Sequence, residues 1–162
     1  MIQQRVGDLL EIRYEDRYFY VVVLTPRVMF GGNIVFAFHA NGERRDVESL
    51  RTTDDGFNVC TDLLPRKRAG EVRRMHRFGE LSPFWRTAYA KGTNEYRRGV
   101  KAKEWFVYRI DALPGPAVAR VADLTPEYRF AMDHECLSFD LVAEKILARY
   151  TPDQNEHIQA DA

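Results

Sequence analysis

Near the start of the chain the apolar positions recur at every second residue, the period of a β-strand. Leu10, Ile12 and Tyr14 alternate with Glu11 and Arg13, which predicts a half-buried strand over residues 6–14. Residues 18–24 are almost continuously apolar and rich in β-branched and aromatic side chains, the pattern of a strand covered on both faces. The polar pair Glu15 and Asp16 supplies a turn between them. Thr25 and Pro26 are expected to end the second strand, because proline donates nothing to a ladder. Gly31, Gly32 and Asn33 punctuate the chain before a third strand at 34–38. Asn41 and Gly42 then carry the signal of a type I′ hairpin turn. Three strands joined by short turns make an antiparallel meander, which must curl or be covered to bury its apolar face.

The pattern weakens after residue 43, with a turn at 53–56 and a short strand at 57–61. Residues 66–77 are strongly basic with few apolar positions, and read as a loop or an exposed edge strand. Ser82 followed by Pro83 is a cap-then-proline helix start, predicting a short helix near 82–91 with Trp85 and Tyr89 on one face. Residues 104–110 alternate again, with Trp105, Val107 and Arg109 opposite Phe106, Tyr108 and Ile110. Leu113 to Pro116 is a rigid turn. Thr125 and Pro126 repeat the helix-start signal, and Phe139, Val142, Ile146 and Tyr150 have amphipathic helical spacing until Thr151 and Pro152 stop it. The expected fold is α+β. It is a curved antiparallel β-sheet of five or six strands, or a small SH3-like barrel, with a C-terminal helical segment. A tail of about 46 residues is too small to form its own core comfortably. The expectation is therefore one domain over 1–162, β-rich over 1–111, with a helical appendage at 117–150 and a frayed tail at 153–162.

Composition narrows the class. The chain has 162 residues, 45% hydrophobic and 12% aromatic, which excludes a disordered polymer. The longest apolar run is strand-sized, whereas a spanning helix needs about 20 residues, and the N-terminus lacks a signal-peptide layout. These readings predict a soluble cytoplasmic protein without a membrane partner. Cys60 and Cys136 could form one bridge, but without an export signal two reduced, mostly buried thiols are favoured.

Charge changes the picture more. The formal net charge is zero, yet residues 65–109 carry thirteen Lys/Arg against four Asp/Glu. Residues 1–64 carry seven against ten, and residues 110–162 four against ten. Either the basic middle and acidic tail neutralise one another, or the basic stretch faces an anionic partner. The candidate partner-binding residues are Arg66, Lys67, Arg68, Arg73, Arg74, Arg77, Trp85, Arg97 and Arg98. Arginine forks match carboxylate and phosphate, and the interleaved Trp85, Tyr89, Tyr96 and Trp105 offer flat faces on which bases stack. The pI near 6.9 lies well below the value above about 9 typical of nucleic-acid domains, which favours a protein partner over nucleic acid.

No constellation points to catalysis. His39, His76, His134 and His157 have no second ligand at helical spacing, so no zinc site is assigned. His134, Glu135 and Cys136 form the nearest cluster, and Cys136 within a predicted amphipathic helix reads as a buried structural thiol. Phosphate-binding loops, GxGxxG and GxSxG are absent from the sequence. No catalytic residue and no cofactor is therefore assigned, and an enzyme with an unrecognised site stands only as a third alternative.

One set of residues resembles a known family. Gly7, Asp8, Leu9, Leu10, Glu11 and Ile12, a turn, and the strand Tyr18 to Val23 resemble the opening of the bacterial immunity protein 26 family. Leu81 to Phe84 and Trp105 to Tyr108 are similar to that family's later elements, so the resemblance covers about residues 6–110. It implies a small cytoplasmic protein that neutralises the cognate toxin of a polymorphic toxin system by direct binding, without chemistry. The segment 117–150 and the strength of the basic middle lie outside the resemblance.

Overall fold

The computed structural model describes residues 3–29, 31–40, 42–63 and 71–158. In chain order the strands and helices are β1 (Asp8–Tyr14), β2 (Arg17–Met29), β3 (Gly32–Phe38), α1 (Val47–Arg51), β4 (Gly56–Thr61) and β5 (Glu71–Arg77). They continue with β6 (Tyr89–Gly92), β7 (Trp105–Arg109), β8 (Ala119–Val121), α2 (Pro126–Arg129), β9 (Met132–Asp133), β10 (Cys136–Leu137) and α3 (Phe139–Leu147). The fold is α+β with few helices, and among the described residues no helix is long and apolar enough to cross a membrane. The chain divides into two compact, discontinuous units. The first joins Met1–Arg86 to Cys136–Tyr150, and the second joins Thr87–Glu135 to Thr151–Ala162.

The first unit is built on a six-stranded sheet in the order β10-β4-β3-β2-β1-β5. The ladder ends at β10 and β5 without closing, so the sheet is no barrel. The meander of β1 to β4 is antiparallel, and β10 joins β4 in parallel. The tight turn between β1 and β2 falls at Glu15 and Asp16, both with positive φ. Two consecutive left-handed residues are the type I′ geometry that matches strand twist. After β3 the chain turns at Gly42 and enters α1 instead of a second hairpin, with Asp46 accepting from the Ser49 amide at 2.8 Å; Asn41 lies outside the described residues. Strand β2 runs through Thr25 and Pro26 to Met29. Register shifts on either side of Thr25 absorb them, so the proline bends the strand without ending it.

Both faces of this sheet are buried, and alternation sorts the side chains between them. On one face Leu10, Ile12, Phe19, Val21, Val23, Val35, Ala37, Phe57 and Val59 pack against Phe139, Val142, Ala143 and Ile146 of α3. On the other, Phe36, Phe38 and Phe78 surround Trp85, with ring centroids 5.1–6.3 Å from it.

The second unit holds a four-stranded sheet in the order β8-β7-β6-β9. Its core includes Ala102, Trp105, Leu124 and Ile158. Two expectations are corrected here. The Ser82-Pro83 start yields only a three-residue 3₁₀ turn, Pro83–Trp85, after which Arg86 is already extended. The residues expected to continue a helix pair with β7, Tyr89 against Arg109 and Lys91 against Val107, because a long-range ladder outweighs a local cap signal. The helical appendage over 117–150 is likewise broken up. Thr125 caps only one turn, α2, and the chain then forms two short strands before α3. Both short strands are held by parallel pairing to distant segments, which local spacing does not encode.

Candidate functional site

Strand β5 is the edge at which the predicted basic stretch becomes structure. It pairs with β1, Glu11 opposite Arg73 and Asp8 opposite Arg77. Asp8 is wholly buried, yet its Oδ1 accepts from Arg77 Nε at 2.7 Å and its Oδ2 from the Arg5 amide at 2.9 Å. Glu11 is also buried, although alternation assigns it to solvent. Its Oε1 accepts from Arg73 Nη2 at 2.9 Å and its Oε2 from the Tyr20 hydroxyl at 3.0 Å. The Tyr20 hydroxyl accepts in turn from the Arg45 amide at 2.7 Å, and burial pushes its pKa up to about 12.

A buried carboxylate must be paired, since an uncompensated charge in the interior is strongly destabilising. Here the partners are long arginines whose side chains stay 57% and 38% exposed. Each arginine is therefore tethered at one end of its fork and open to solvent elsewhere. The bond to Asp8 also raises the Arg77 pKa above its ordinary value.

The remaining candidates are placed as follows. Arg66, Lys67 and Arg68 lie outside the described residues. Arg74 is exposed on β5 and has no ion pair among the described residues. Trp85 is 1% exposed, its indole Nε1 donating to the Thr53 carbonyl at 2.8 Å, so its ring is spent on the core and not on a partner. Arg97 bonds Glu95 through Nε and Nη2 at 2.9 and 2.8 Å. That pairing, helped by the Arg97 amide, holds the Glu95 carboxyl down at about 2. Arg98 is exposed, and the neighbouring Tyr96 is 86% exposed. Trp105 is buried, as its strand alternation implies.

Sequence patterning did not point to the polar hollow of the second unit, about 260 Å³ in volume. Lys91 lies at its base with no exposed side chain, its Nζ donating to the carbonyls of Ala131 at 2.6 Å and Pro152 at 3.0 Å. Asp133 Oδ1 lies 3.1 Å from the same ammonium and accepts from Asn155 Nδ2 at 2.9 Å. His134 stacks on Tyr108 with centroids 4.1 Å apart, and burial lowers its pKa, favouring the neutral ring. His157 Nδ1 lies 2.8 Å from the Val100 carbonyl, which can only accept, so that nitrogen carries the proton. The lining contains neither serine nor cysteine, and no group of three potential metal ligands occurs among the described residues. The hollow has donors, acceptors and a flat stacked wall, and its Thr93 hydroxyl donates to the Glu104 carbonyl at 2.9 Å.

Comparison with family models, curated proteins and solved structures gives no match to this chain.

Proposed function

We propose that this chain is a non-enzymatic binding protein that neutralises a cognate bacterial toxin by direct contact, with the basic edge strand β5 in the interface. The observation that carries the reading is the tethering of Arg73 and Arg77 by carboxylates buried in β1. Arginines fixed before encounter lose less side-chain freedom on binding, and they present their free donors to an acidic surface at low entropic cost. Arg74 adds a third positive charge on the same strand, and Arg98 extends the positive surface of the second unit. The sequence resemblance to immunity proteins supports the toxin as the partner class.

The test is binding to the product of a toxin gene encoded beside this one. Arg74→Glu and Arg98→Glu leave the internal ion pairs untouched, so each isolates recognition from folding. Arg74→Glu is expected to weaken binding at least about tenfold and to reduce its salt dependence. Full affinity in Arg74→Glu rejects this interface. A second reading, single-stranded nucleic acid, is favoured by Tyr96, which stands exposed beside Arg97 and Arg98 as a stacking platform. Filter binding of RNA and DNA at two salt concentrations decides it, and no retention at low salt eliminates it.

A further inference from the structure

We infer that Cys60 and Cys136 form a reversible dithiol–disulfide site, oxidised by a low-molecular-weight disulfide such as oxidised glutathione, that staples the returning segment of the first unit to its sheet. The two residues are register partners on adjacent parallel strands, Cys136 of β10 opposite Cys60 of β4. Neighbouring strands run about 4.8 Å apart with register partners on the same face, inside the roughly 4.4–6.8 Å Cα separation that a disulfide spans. Both sulfurs converge on Gly32 at the start of β3, where an added β-carbon would overlap each of them. Glycine at this position leaves the sulfurs room to approach one another. Both thiols are free.

The two sulfurs differ in access, which sets the order of chemistry. Cys60 is completely buried, whereas Cys136 is half-buried. Burial raises the Cys60 pKa, and its hydrogen bond with Cys136 adds to the shift, so Cys60 is held as an unreactive thiol. Cys136 is the point of entry. Its thiolate attacks one sulfur of the small disulfide, the sulfur–sulfur bond breaks, and one small thiolate leaves. Cys60 then attacks the Cys136 sulfur of the mixed disulfide, its proton passing to the second small thiolate as that leaves. Two protein thiols are oxidised and one small disulfide is reduced to two thiols, so atoms and electrons balance. The product encloses residues 61–135 and anchors β10, directly before α3.

The test uses the full-length protein equilibrated with oxidised glutathione. The expected result is an intact mass lower by two hydrogen atoms, no alkylatable thiol, and a melting temperature raised by roughly 10 °C, all reversed by dithiothreitol. Cys60→Ser, lacking the resolving thiol, is expected to hold glutathione on Cys136, and Cys136→Ser to gain no stability. The wild-type readout decides the matter even if a variant fails to fold. Two thiols still open to alkylation after equilibration overturn the inference, as does a wild-type protein that accumulates a lasting glutathione adduct.

Discussion

Both units are discontinuous, and each is completed by a segment that returns from elsewhere in the chain, yet the two are closed by opposite physics. In the first unit the returning residues 136–150 dock through apolar surface, with Phe139, Val142, Ala143 and Ile146 entering the core. Their polar ties sit at the rim, where Arg149 grips Asp55 at 2.8 and 2.9 Å and His39 Nε2 lies 2.8 Å from the Tyr150 carbonyl. Burial would raise the Asp55 pKa, but the Arg149 bonds and His39 Nδ1, 3.1 Å from its Oδ1, pull it below its ordinary value. In the second unit the returning residues 151–158 are sewn in largely by polar bonds, with Ile158 adding apolar contact. Lys91 bonds Pro152, Asp133 bonds Asn155, and the Ala102 amide donates to the His157 carbonyl at 2.9 Å. An apolar seam tolerates small changes of shape, whereas a buried polar seam fails when one partner is lost.

The chain has one tryptophan in each unit, Trp85 in the first and Trp105 in the second, so single-tryptophan variants read the two closures separately. Phe139→Ala should cost the first unit about 4 kcal/mol, since Phe139 makes edge contacts with Tyr14 and Phe19 inside a packed core. A urea titration reporting a loss below about 1 kcal/mol would show that α3 does not close that core. Lys91→Met should cost the second unit about 3 kcal/mol by leaving Asp133 buried without its cation, and Lys91→Met with Asp133→Leu should recover most of it. If the double variant is no better than the single one, the seam depends on the two carbonyls rather than on charge.

A smaller effect follows from His134. Its folded pKa is depressed by burial, so below the ordinary imidazole value of about 6.5 the unfolded chain takes up the proton more readily. The second unit should therefore lose stability as pH falls from neutral through 6.5 towards the lower folded value, and His134→Gln should flatten that slope in Trp105 fluorescence melts. The smallest change expected is at the exposed pair Lys101 and Asp123, 3.0 Å apart. Lys101→Ala should shift stability by no more than about 0.5 kcal/mol; a larger loss would mean that surface charge also holds this unit together.

The difference between the seams also explains what the sequence revealed. Strands β1 and β7 were legible because alternation writes a period of two, β2 and β3 because burial on both faces leaves a nearly unbroken apolar run, and the core positions of α3 because helical burial writes a period of three to four. The same periodic logic sent Glu11 to solvent and missed Lys91, since both are charges kept inside by partners far along the chain. Strand β6 hid behind a genuine local cap at Ser82, and the strands β9 and β10 are too short to carry any period. Of the basic stretch, the edge-strand character of residues 71–77 could be read directly. That Arg73 and Arg77 answer buried acids on β1, while Lys91 and Lys101 meet Asp133 and Asp123 of the acidic tail, depends on sheet order, which no local pattern specifies.

The polypeptide passes between its two units at residues 86, 135 and 150, and this routing sets a schedule for synthesis. The helix that covers the meander is made about a hundred residues after β3, by which time residues 87–135 of the second unit have already been synthesised. Until then the inner face of a nearly complete sheet has nothing of its own chain to cover it. A nascent chain stalled near residue 135 is therefore expected to engage a holding chaperone or to aggregate, and one stalled beyond α3, once that helix clears the exit tunnel, to do neither.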